Sequence, residues 1–204
     1  MFSMRRAEPG DRASVEDVIR TRCEWMERKG LPSWRDSAAD LASQCDNPFG
    51  DVWLLELDGR VVGRTTVQEQ GPPWGWTPQE RAEPALYLNT SVTDPSVRHL
   101  RPGALMALWA VNRAAREGRD WVRRDCLWPD LVRYYESQGF TLLHEVERTK
   151  YRLYMLGRPR GAARRPGRMV QDRNAVAARC RSSGSTRPDS MSGEPPVSVF
   201  AEAE

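Results

Sequence analysis

Long apolar runs are missing from this 204-residue chain. The longest, Ala104 to Val111, falls far short of the roughly 20 residues that a membrane-spanning helix needs. The opening stretch MFSMRRAEPGDR has no apolar centre of the kind a secretory signal carries. No membrane partner is expected, and the expected location is cytoplasmic. Histidine is scarce, with only His99 and His144, and the four cysteines (Cys23, Cys45, Cys126 and Cys180) stand far apart without a CxxC pair. A multi-histidine centre, a zinc site and a disulfide framework are therefore not expected, and no metal is assigned. A charge excess is also missing from most of the chain. The formal net charge is +3, but residues 158–204 hold nine arginines against five acids, which leaves residues 1–157 at −1.

What the chain does hold is enough apolar material for one core: 39% of its residues are hydrophobic and eight are tryptophan. Its length suits one ordinary domain, or one domain and a tail. From Arg158 onward, RPRGAARRPGR and RCRSSGSTRPDSMSGEPP carry almost no large apolar residues and no periodicity. Residues 158–204 are read as a disordered Arg/Pro/Ser-rich tail. Such a tail can meet nucleic acid or acidic partners; the preferred reading is a solvated extension, and nucleic acid is not expected as a partner.

Within residues 1–157 the patterns alternate. Ser3 to Ala7 predicts a strand. Val15, Val18, Ile19, Cys23 and Met26 recur at helical spacing behind Asp11, with Gly30 placed as a C-terminal cap. A short helix over Ser37 to Gln44 follows. VWLLELDGRVVGRTTV reads as a hairpin closed by Asp58-Gly59. Gln70 to Pro84, rich in Gly and Pro, predicts a surface loop. Ala85 to Val92 is a strand, Pro102 to Arg116 an amphipathic helix, and Trp121 to Leu127 a strand. Pro129 to Ser137 is a short helix, and Phe140 to Leu156 a final pair of strands. A hairpin inside an alternating order predicts a single α/β domain over 1–157, with a mixed, mostly antiparallel sheet of about 6–7 strands and helices on both faces.

Two stretches are chemically informative: LYLNTSVTDPSVRHLRPGALMALWAV and LVRYYESQGF. Together they resemble the GNAT superfamily of acyl-CoA-dependent N-acyltransferases, as a divergent bacterial member, and the likeness runs over residues 3 to 157. In that family a strand enters a loop of pattern Gln/Arg-x-x-Gly-x-Gly/Ala, whose amides at a helix N-terminus cradle the coenzyme A pyrophosphate. Here Arg98 stands at the first position, Arg101 at the first glycine and Gly103 at the last, followed by Ala104. Pro102 has no N–H to offer, while the guanidinium groups of Arg98 and Arg101 can bind phosphate directly.

The resemblance further implies that the main chain at Ser91 and Val92 holds the pantetheine arm as an added strand. It implies that Tyr135, four residues before Gly139, protonates the departing thiolate; a phenol of pKa near 10 is matched to that task. Where relatives often carry an asparagine, this chain has Trp128, read mainly as a core residue. Trp25, Trp34, Trp53, Trp74 and Trp76 are candidates for an aromatic wall on the acceptor side, able to attract an ammonium group; Trp25, Trp34 and Tyr87 are the substrate-binding candidates. Glu69, Glu83 and Glu145 are candidates for a general base by position. The resemblance implies acetyl-CoA as co-substrate and a small-molecule or peptide amine as acceptor, in a protein class where homodimers are common. A non-catalytic GNAT-like module that binds acyl-CoA or a partner is the alternative.

Overall fold

The computed structural model describes residues 1–47, 51–161 and 170–172. Alternating strand and helix patterns give β1 (Phe2–Arg6), α1 (Arg12–Arg28), α2 (Ala38–Ser43), β2 (Val52–Leu57), β3 (Arg60–Gln68), α3 (Pro78–Ala82) and β4 (Ala85–Thr93). The order continues with α4 (Pro102–Arg116), β5 (Trp121–Cys126), α5 (Pro129–Glu136), β6 (Thr141–Glu147), β7 (Arg152–Pro159) and β8 (Gln171–Asp172). The β2–β3 hairpin forms because Asp58 and Gly59 accept positive φ, 50° and 86°, the backbone that a two-residue turn matched to strand twist requires.

The strands form one sheet in the order β6-β7-β5-β4-β3-β2-β1-β8. Neighbours run antiparallel except β4 with β5 and β1 with β8. The expected mixed, mostly antiparallel sheet is present, with the two-residue β8 as an eighth member. Helices cover both faces. On one, α4 and α5 pack through Met106, Trp109, Ala110, Leu131 and Tyr135 onto Met4, Leu55, Leu88 and Val122. On the other, the α1 stripe of Val15, Ile19, Cys23 and Met26 joins Leu41 of α2 over Val52, Leu54 and Val92. Each fully buried aliphatic side chain of these stripes contributes roughly 1.5–3 kcal/mol, so the α1 stripe alone outweighs any local helix propensity.

Two expectations need correction. The boundary at residue 157 cuts through β7, which runs on to Pro159; Arg158 is buried and donates to the Gln138 carbonyl. Gln171–Asp172 then pair in parallel with β1. The rest of the expected tail, residues 162–169 and 173–204, lies outside the described residues. The Gln70 to Pro84 segment is not plain loop: Thr77 and Glu80 form a capping box that starts α3, and Trp76 is buried against Tyr87. No helix among the described residues is long and apolar enough to cross a membrane.

Candidate active site

β4 and β5 pair from Ala85/Trp121 to Leu88/Arg124 and then part. Beyond that point Asp125 and Cys126 pair only with β7, while Asn89 to Thr93 stay with β3. The C-terminal ends of two parallel strands thus open into a crevice, the place where open α/β sheets bind ligands, with one edge of β4 left for an added strand. The cause is a bulge. The β3–β4 register shifts between Arg64 and Thr66, putting an extra residue into β4, and Thr90 takes φ 46°. A left-handed β-branched residue costs on the order of 1–3 kcal/mol. Neighbouring hydrogen bonds hold it: the Thr90 hydroxyl donates to Asn89 Oδ1 (3.1 Å), the Thr65 hydroxyl to the Asn89 carbonyl (3.3 Å), and Thr65 and Ser91 hydroxyls meet at 2.9 Å. From α1, buried Arg22 donates Nε–H to the Thr93 carbonyl at 2.9 Å and Nη2–H to its hydroxyl, pinning the strand end.

At the mouth of the crevice Asp94 accepts the Ser96 N–H (2.8 Å) and pairs with Arg60 (2.6 Å), starting a 3-10 turn over Pro95–Leu100. Arg101 then adopts φ 54°, ψ 54°, donates its N–H to the Arg98 carbonyl, and leads into α4. An arginine therefore holds a conformation that glycine usually supplies, and the turn keeps its shape without the glycine. Leu105 N–H bonds back to Arg101. The N–H groups of Gly103 and Ala104 belong to the first helical turn, where no intrahelical acceptor exists. Arg98, His99 and Arg101 are exposed beside them, and helix dipole and side-chain charge converge on this spot.

Tyr135 of α5 is buried against the end of β5. Arg124, at the last paired position of β5, places its guanidinium carbon 3.4 Å from the Tyr135 ring centroid, and Phe140 packs edge-on at 6.3 Å. Cys126 lies in the same cluster, its thiol pushed up to about 12 by burial, so it stays protonated. Trp128 is not a core residue: it is 44% exposed at the start of α5, beside the crevice mouth.

The tryptophans do not make one wall. Trp25 and Trp34 belong to the α1–α2 core, with Trp25 beneath Arg22 at 5.1 Å. Trp53 lies on the opposite face, tilted against Trp109 with ring centroids 4.7 Å apart and under Arg113, while Trp74 and Trp76 sit with Tyr87 in a third cluster. The carboxylates expected by position are engaged elsewhere: Glu69 with Arg119 (2.6 Å), Glu83 with Arg123, and Glu145 with Arg152 (3.1 Å). The acid that does reach the crevice is Asp125, buried on β5 one residue beyond the last β4–β5 pair and accepting the Tyr87 hydroxyl. Burial and the Asp125 charge push the Tyr87 phenol well up, so it remains a donor. Sequence reasoning passed over Asp125, although an aspartate inside a strand is itself a signal, since strands are depleted in it. Among the described residues, no group of three or more His, Cys, Asp and Glu side chains could hold a metal ion.

No protein-family model matches the sequence, and no curated protein matches it. Solved structures do. A GNAT-family acetyltransferase from Listeria monocytogenes is similar with TM-score 0.63 and 19% identity, over 78% of this chain and 94% of that one. The ribosomal-protein-S18-alanine N-acetyltransferase from Escherichia coli is similar with TM-score 0.54 and 13% identity, over 83% and 99%. The paia N-acetyltransferase from Thermoplasma acidophilum, in complex with coenzyme A, gives TM-score 0.56 and 13% identity, over 78% and 99%. With its parallel β4–β5 pair open at one end, this chain has the fold of the GNAT acetyltransferases.

Proposed function

We propose that the protein is an N-acyltransferase that moves an acetyl group from acetyl-CoA to a primary amine by direct attack, both substrates being bound together. The observation that carries this reading is the crevice between β4 and β5, which opens beside the α4 N-terminus with Tyr135 on one face and Asp125 on the other. Gly103 and Ala104 offer N–H groups to the pyrophosphate, and Arg98 and Arg101 add the charge that Pro102 cannot supply as an amide. The Ser91 hydroxyl is taken by Thr65 and the Val92 side chain is in the core, so their contribution to the pantetheine arm is main-chain hydrogen bonding.

A donor lying along β4 leaves the acceptor to approach from the α1–α2 face, because α4 and α5 close the other. An ammonium group must lose a proton before it attacks. Asp125, oriented by the Tyr87 hydroxyl, is the base placed for it, and Tyr135 donates its proton to sulfur as the carbon–sulfur bond breaks. A β4 backbone amide serves the thioester carbonyl. The test is thiol release from acetyl-CoA across an array of primary amines, with product mass read alongside. Amine-dependent release with an acetylated product supports the reading. No release with any amine, despite coenzyme A binding, favours the non-catalytic module.

A further inference from the structure

Arg64 is a cation that no acid among the described residues neutralises. It sits on β3, level with Val92 of β4, under the turn at Gln44–Asp46 on the α1–α2 face, and is 0% exposed. Its Nη2 donates to Gln44 Oε1 (3.0 Å) and to the Thr66 hydroxyl (2.7 Å); both partners are neutral. Nε and Nη1 have no hydrogen-bond partner among the described residues. The ionisable group acting on it is Cys45, a thiol that burial pushes up and keeps neutral, so no carboxylate among the described residues compensates the charge. Burial lowers the guanidinium only to about 10, which leaves it protonated at neutral pH. Burying an unpaired charge is destabilising, and unpaired buried donors in a native fold call for a reason.

Position supplies the reason. The guanidinium reaches along β3 to Thr66, whose β4 neighbour is Asn89, the first residue past the β4–β5 pairing. It therefore stands on the acceptor face, one strand spacing of about 4.8 Å from the strand that borders the crevice. Gln44, which covers it, is only half-buried, so the cation lies one side chain below the surface. We infer that Arg64 is the anchor for a carboxylate on the acceptor, which makes the acceptor class an amine that carries a carboxylate, such as an amino acid, rather than a simple amine or polyamine. A carboxylate oxygen would accept one of the idle N–H groups in a charge-assisted hydrogen bond, and the bound molecule would bring the counter-charge that the protein omits. The inference rests on the acyl-transfer reading for where the amine goes.

The test measures thermal stabilisation of the full chain by the common L-amino acids and by their C-terminal amides, each with and without coenzyme A. Stabilisation by at least one amino acid, absent or at least tenfold weaker in concentration for its amide, is the expected result. Arg64→Met should abolish that difference while leaving stabilisation by coenzyme A intact, and Arg64→Lys should restore part of it. Equal stabilisation by acid and amide, or none by either, overturns the carboxylate anchor. The wild-type comparison decides this even if Arg64→Met does not fold. Absence of any coenzyme A effect overturns the acyl-transfer reading instead, so the two failures are separable.

Discussion

Tyr135→Phe is expected to lower kcat by about 10²- to 10⁴-fold while leaving coenzyme A binding within about twofold of wild type, because a positioned general acid is worth that much in rate and little in ground-state affinity. The ring would stay where it is. Tyr135 packs beneath Arg124 and beside Phe140, contacts that phenylalanine keeps, so the substitution removes the hydroxyl and preserves the ring packing. Steady-state thiol release at saturating substrates, with coenzyme A affinity measured separately, reads the two quantities apart. Turnover unchanged in Tyr135→Phe would remove this hydroxyl from the chemistry.

Asp125→Asn is the second large effect, about 10²- to 10⁴-fold in kcat/KM at neutral pH. The carboxamide oxygen can still accept the Tyr87 hydroxyl, so the core around Trp76 and Met155 is retained and loss of activity is not loss of fold. The sign of the pH dependence follows from the chemistry. Below its own pKa, near 10 for an alkylammonium, the acceptor carries a proton that a base must take; above it, the amine arrives neutral. The Asp125→Asn defect should therefore shrink steadily as pH rises toward about 10, whereas the Tyr135→Phe defect should not. A pH-independent Asp125→Asn defect would assign Asp125 to architecture instead.

The scaffold was legible because its signals are local. A stripe at helical spacing, an Asp-Gly turn and a capping residue each report on a few neighbours, and α1, the β2–β3 hairpin and α4 follow from them. The site was legible in part. Resemblance to a family pattern singles out Tyr135, Gly103 and the Arg98 loop as candidates; the structure puts Gly103 in the first turn of α4 behind the Arg98 turn and Tyr135 buried on α5. Arg101 shows why the pattern looked degraded: the left-handed turn that glycine normally makes is held by an arginine, a backbone fact that residue type conceals. The aromatic wall failed because strand alternation and the face that each helix covers, not proximity in sequence, decide which tryptophans meet. Asp125 and Arg64 were missed for the same reason. Whether a charged strand residue is paired at a surface edge, as Glu145 on β6 is, or buried beside a gap depends on register and on the β4 bulge, and both arise only when the strands are assembled.

The measurement closest to the central claim is thermal unfolding of the full chain with increasing coenzyme A. If the β4–β5 crevice and the Gly103–Ala104 helix start bind it, coenzyme A at one hundred times its Kd should add about 2.7 kcal/mol, a rise of roughly 5–10 °C in Tm for a chain of this size, and Arg98→Ala should reduce it. A midpoint that does not move at any coenzyme A concentration would contradict the account.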